Sequence, residues 1–200
     1  MNAAQTPATA GLLGLKGTFQ MRMQHLATAV ALSVAAAVAV PASAAEHSMG
    51  NPVVTDGMIL HPVYLQPVDM APMLPGMDAA KADAHLEIDI HADKNNPQGF
   101  PPGSWMPYLT VSYQIQKLGS NWSTFGTLMV MEANDGPHYG ANIRFDGPGK
   151  YRASFRIEPP PYAAFFRHTD KETGVPDWWA PFVKSWDFTY VGGVGHKGGY

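Results

Sequence analysis

The stretch Ala82-Asp83-Ala84-His85-Leu86-Glu87-Ile88-Asp89-Ile90-His91-Ala92 alternates strictly, with Ala84, Leu86, Ile88 and Ile90 on one parity and His85, Glu87, Asp89 and His91 on the other. Successive side chains on a strand point to opposite faces, so this is a half-buried strand with an apolar inner face. At roughly 3.3 Å per residue, its outer face carries two imidazoles and two carboxylates within about 20 Å. A merely solvated face would more ordinarily carry Lys, Thr and Ser. A metal-binding face and an acidic solvated face both fit this stretch taken alone.

Outward from it the chain reads as short strands and Pro/Gly loops. Upstream, Gly57–Leu65 is a first strand, and Pro62 inside it predicts an edge or a bulge. Pro67–Met77 holds three prolines and three methionines, which predicts a loop and not a long helix. Downstream, Pro107–Lys117, Asn121–Glu132 and Phe182–Val191 are further strands, the first and last alternating cleanly. Tyr139–Phe145 and Tyr151–Ile157 flank Asp146-Gly147-Pro148-Gly149, a pattern that predicts a hairpin. About seven short strands with no amphipathic helix predict an all-β fold, an antiparallel sandwich of the immunoglobulin-like type.

The 200 residues fit one domain plus a removable segment. Residues 1–45 read as a secretory signal: a basic start at Met21-Arg22-Met23, an apolar run from Leu26 to Val40, and the small-residue pattern Pro41-Ala42-Ser43-Ala44-Ala45. The run is short for a spanning helix. Residues 1–20 read as an upstream misassigned start, because the signal is complete from Met21. Residues 46–56 are then a loose lead-in, 57–192 the folded domain, and 193–200 a flexible Gly-rich tail.

Without Lys16 and Arg22, the 13 basic residues fall to 11 against 16 acidic, a net charge of −5. An acidic exported chain is poorly suited to nucleic acid, whose binding depends on neutralising phosphates, and is suited to collecting cations. There are no cysteines, so a core and not disulfides must hold the domain even in an oxidising compartment. Export without cysteines points to a bacterial periplasm, with no membrane insertion of the mature chain.

No cysteine nucleophile and no Gly-x-Ser-x-Gly elbow is present, so nothing recommends a hydrolase, and no catalytic residues are assigned. Metal ligation is better supported. His85 and Glu87 share a face about 6–7 Å apart along the strand, close enough to meet at one ion. Met131 ends a strand, His138 lies in the loop after it, and His168 lies in a second long loop. Imidazole suits copper, zinc and iron, thioether selects Cu(I), and carboxylate suits harder ions. A mixed set of this kind fits copper in either oxidation state or exchangeable iron. Taken singly, a strand Met is ordinary packing and a loop His an ordinary solvated side chain.

Three segments in the same order, His85-Leu86-Glu87, Met131 through His138-Tyr139-Gly140-Ala141-Asn142, and His168 through Asp177-Trp178-Trp179, resemble the periplasmic iron-transport protein family of the P19, Tp34 and FetP type. The resemblance spans Gly57 to Gly192. It implies an immunoglobulin-like sandwich, a homodimer, and copper bound by His85, Met131, His138 and His168, with Glu87 the adjacent carboxylate tied to a second ion, iron or its surrogate manganese. The function implied is high-affinity iron uptake, without catalysis, with delivery to an inner-membrane iron permease. A copper-dependent Fe(II) oxidase and a periplasmic copper storage or tolerance protein are the alternatives. His91 takes a surface or supporting place. Met70, Met73 and Met77 take either dimer packing or a soft-metal loop, and Trp178 and Trp179 core or interface packing.

Overall fold

The computed structural model describes residues 46–161 and 164–193. The expected signal segment, its upstream start and nearly all of the expected tail lie outside those residues. Ten strands build two antiparallel sheets. The first sheet contains β1 (His47–Ser48), β2 (Val53–Thr55), β3 (Met58–Leu65), β4 (Ala84–Ala92), β7 (Met129–Ala133) and β8 (Gly136–Ile143). It runs in the order β1-β3-β4-β8-β7, with β2 also pairing β3. The second contains β5 (Thr110–Lys117), β6 (Ser123–Thr127), β9 (Gly149–Glu158) and β10 (Phe182–Tyr190), in the order β10-β9-β5-β6. The all-β sandwich expected from the alternation is therefore present.

Between the sheets lies one continuous core. Leu60, Leu86, Ile88, Ile90 and Ile143 come from the first sheet, and Val111, Ile115, Phe155 and Ile157 from the second, all buried. Tyr139 is fully buried yet fully bonded, donating from its hydroxyl to Met106 O at 2.7 Å and accepting from Leu109 N at 3.0 Å.

Several local expectations are corrected. The residue 46–56 lead-in is not loose: it supplies β1 and β2, buries Met49, and Asn51 O accepts from Trp186 Nε1 at 3.0 Å. Pro62 lies mid-strand in β3, inside the sheet. Its carbonyl accepts from Met49 N in the gap between β1 and β2, so its missing N–H faces the side where the ladder is already interrupted. The stretch 121–132 is two strands in different sheets. Thr127 pairs with Ser112 in β5, Met129 pairs with Gly140 in β8, and buried Leu128 crosses between them. β8 and β9 likewise sit in different sheets, so 146–149 is a crossover and not a hairpin turn. The two lead-in strands and the division of 121–132 account for ten strands among the described residues where about seven were expected.

Candidate metal centre

β4 sits in the middle of the first sheet, so its polar face depends on what covers it. Register decides which side chains share that face. His85 lies opposite Asn142 and Glu87 opposite Gly140 on β8, while Met131 of β7 lies opposite His138 and Met129 opposite Gly140. Alternation along three neighbouring strands thus puts His85, Glu87, His138, Met131 and Met129 on one side of the sheet.

That side is not solvated at this end. His85 is 1 %, Glu87 5 % and His138 5 % exposed, although a solvated outer face was one reading of the sequence. The Pro/Met segment after β3 covers them, leaving a cavity of about 770 Å³ between itself and β7. His85, Glu87 and His138 each offer a ligand atom, all within 4.8 Å of one another. Met131 lines the same cavity.

Gly140 makes the approach feasible. A Cβ built there would collide with His85 Nε2 and stand 3.2 Å from His138 Cδ2. Only a bare backbone lets the two imidazoles meet over β8.

Asn142 fixes both the imidazole and its cover. Its amide Nδ2 donates to Val68 O at 2.8 Å and Met77 O at 2.7 Å, and its Oδ1 accepts from Val68 N at 3.2 Å. The amide orientation is set by those bonds, so the 3.0 Å contact from His85 Nδ1 is a donation to Oδ1. His85 Nε2 is then the lone-pair nitrogen. It is buried without a hydrogen-bond partner, as is His138 Nδ1, which lies 3.3 Å from Glu87 Oε1 without hydrogen-bond geometry. Two orphaned imidazole nitrogens beside a buried carboxylate suit a cation, since unpartnered buried polar atoms are otherwise costly.

The electrostatics agree. Burial, aided by the neighbouring carboxylates of Asp89, Glu46 and Asp135, pushes the Glu87 carboxyl up to about 8 in the metal-free protein. Burial also lowers His85 to about 4, so it stays a neutral donor at ordinary pH. A cation among these groups would restore the carboxylate charge. Two imidazoles, a carboxylate and a thioether form a donor set that fits copper in either oxidation state.

His168 is placed elsewhere. Its side chain is 71 % exposed, and its Nδ1 donates to Thr173 Oγ1 at 2.7 Å while that hydroxyl donates to Asp170 Oδ2 at 2.7 Å. The acidic residues around it have local partners: Asp170 accepts from Glu172 N and Thr173 N, and Asp177 pairs with Arg167. His91 is half-buried and bridges to Trp105. Of the methionines in the covering segment, Met70 lines the cavity, Met73 is exposed and Met77 packs on the core. Trp179 also packs on the core, while Trp178 stacks on Phe165.

Asn142 and Gly140 were visible in the sequence as part of a motif, but their roles were not. Only the strand register, which sets His85 against Asn142, shows them.

Residues 43–192 match the family described as Fe2+ transport protein. The chain belongs to that family. A UPF0423 protein of Brucella abortus is 44 % identical over 183 residues, spanning 89 % of this chain and all of that one. FetP of uropathogenic Escherichia coli strain F11 is 52 % identical with a TM-score of 0.71, covering 74 % of this chain and 97 % of FetP. A copper-reconstituted P19 structure from Campylobacter jejuni is 46 % identical with a TM-score of 0.72, covering 74 % and 98 %. The family resemblance read from three short segments thus holds over the whole domain.

Proposed function

We propose that this protein is a periplasmic metal-binding component of a high-affinity iron uptake system. Copper is held by His85, Met131 and His138 with Glu87 alongside, and iron passes on to an inner-membrane permease. The observation that carries this reading is the pair of buried, unpartnered imidazole nitrogens converging on a buried carboxylate. Copper in the P19 structure from Campylobacter jejuni supports the choice of metal. The net acidity of the exported part, the leader-like first 45 residues and the family support the transport role.

Glu87 and its neighbouring carboxylates offer the harder oxygen donors that iron, or manganese as its surrogate, would take as a second ion. His168 stands outside the cluster of its own chain, so as a ligand it is supplied by a second copy in a homodimer. That arrangement makes each centre depend on association.

Metal analysis and native mass spectrometry of the exported chain after addition of Cu(II), and separately of Mn(II), test the reading. One tight copper per chain is expected, with a weaker second ion lost in Glu87→Ala. A joint His85→Ala and Met131→Ala change should abolish stoichiometric copper. Unchanged copper in that double variant would overturn the site assignment. Sustained Fe(II) oxidation under air, many turnovers per copper, would place the protein among oxidases instead.

A further inference from the structure

Within the small-residue run Pro41–Ala45 there is one Ala-x-Ala triplet, Ala42-Ser43-Ala44, the pattern that precedes a leader cleavage. A cut after Ala44, one residue earlier than the end of the 1–45 segment, leaves Ala45-Glu46-His47-Ser48 as the new amino end. Histidine is then third. That is the position at which an imidazole closes a planar four-nitrogen chelate with its own backbone: the α-amine, the second and third amide nitrogens, and the imidazole Nδ1. The first three nitrogens form two five-membered rings with an ion, and Nδ1, the ring nitrogen nearer the backbone, closes a six-membered one. A histidine in second place leaves the set one nitrogen short, and one in fourth place puts a further amide between.

Ala45 lies outside the described residues; Glu46 and His47 lie within them, and both are exposed. His47 opens β1, where it pairs with Tyr64 and stacks its ring on the Tyr64 ring at 5.0 Å. β1 is only two residues long, and the chain is anchored directly behind it by buried Met49, whose N–H donates to Pro62 O at 3.0 Å. Wrapping residues 45–47 around an ion therefore gives up one register pair and one exposed ring stack, and leaves the core untouched. Glu46, the middle residue of the motif, lines the metal-centre cavity, so an ion held here stands at the rim of that cavity.

We propose that the exported chain starts at Ala45 and holds one square-planar Cu(II), or Ni(II) in its place, at its amino terminus. The ligands are the Ala45 α-amine, the amide nitrogens of Glu46 and His47, and His47 Nδ1. A square-planar nitrogen set suits Cu(II) and Ni(II) above the other first-row divalent ions. Two amide protons leave for solvent as the ion binds, so uptake strengthens as pH rises. No side chain of the buried centre takes part. The inference rests on export of the chain, as proposed above, and not on the copper assigned to His85, Met131 and His138. A terminal copper adds to that one, so the copper counts given for the buried centre apply to chains that carry His47→Ala.

The test expresses the full chain with its own leader in a bacterium, takes the protein from the periplasm, and reads its intact mass before Ni(II) is added. A mass that begins at Ala45 is expected. One Ni(II) per chain should then give the yellow, diamagnetic absorption of planar nickel, lost reversibly on acidification. The imidazole, thioether and carboxylate donors of the buried centre include no deprotonated amides, so nickel there lacks that signature. His47→Ala should abolish it. So should a glycine inserted between Ala45 and Glu46, which keeps His47 but makes it fourth. His85→Ala with Met131→Ala should leave it intact. A chain that starts at Ala45 and gives no planar nickel, or planar nickel that survives His47→Ala, would overturn the proposal. A start at any other residue after Val40 would overturn it and leave export standing, whereas a retained leader would overturn both.

Discussion

One amide side chain, that of Asn142, holds His85 and its cover at once. Asn142→Ala leaves His85 Nδ1 buried without a partner and frees the backbone of Val68 and Met77. It should lower Cu(II) affinity about 10- to 100-fold, as loss of a ligand's supporting hydrogen bond does. It should also destabilise the metal-free protein by about 1–3 kcal/mol. Competition titration and thermal melting would check both. The ionisable residues add a pH signature. Folding raises the Glu87 carboxyl from 4.5 to about 8, so its contribution to metal-free stability is full below 4.5 and lost as pH climbs through 8. Folding lowers His85 from 6.5 to about 4, so its contribution is present above 6.5 and lost as pH falls toward 4. Between 4.5 and 6.5 the two slopes oppose each other, and above 6.5 only the carboxylate slope remains. The melting temperature of the metal-free protein should therefore fall as pH rises from 6.5 through 8. Glu87→Gln should flatten that fall. Bound metal should reverse its sign. At this scale the alternation of Leu86, Ile88 and Ile90 against His85, Glu87 and Asp89 was legible, and the burial of the polar set was not. A single strand says which residues share a face, but the cover over His85 comes from a loop whose course no periodicity encodes.

Among the elements, the passage from β6 to β7 matters most for the centre, because it carries the chain from one sheet to the other just before Met131. Leu128 makes the crossing while buried in the core, its N–H bonded to Val111 O at 2.8 Å. Leu128→Ala should cost about 2–5 kcal/mol of stability. It should also weaken copper binding more than a core truncation of the same size in β9, such as Ile157→Ala. Urea unfolding with parallel copper titrations would separate the two effects. The crossing was not legible: Asn121–Glu132 stays extended throughout, and a strand that changes partners looks the same in sequence as one that does not. The same ambiguity made residues 146–149 look like a hairpin turn, since tight turns and crossovers both use Gly and Pro. By contrast β4, β5 and β10 were legible because each keeps one face on the core along its whole length.

For the whole molecule, placing His168 on a second copy has a stoichiometric consequence. A His85→Ala chain and a His168→Ala chain each lack one donor at every site of their own homodimers. A mixed dimer of the two keeps one complete set, so random mixing should restore about one site in four. Copper bound after mixing, measured against the separate variants, checks this; no recovery would mean the donor is not exchanged between copies. Three short segments in the same order sufficed to show the family, whereas the proposed place of His168 on a second copy lies beyond what one chain's pattern holds. The register that assembles the centre also sets its timing. His85 and Asn142 are 57 residues apart in the chain, and no local segment brings the two imidazoles together. Before β4 and β8 have zipped, the donors of this centre are scattered and independent. The ion therefore cannot nucleate this fold. An ion taken up there would meet a finished protein and act as a late lock, slowing unfolding and adding stability with the logarithm of its free concentration, while leaving the rate of folding unchanged.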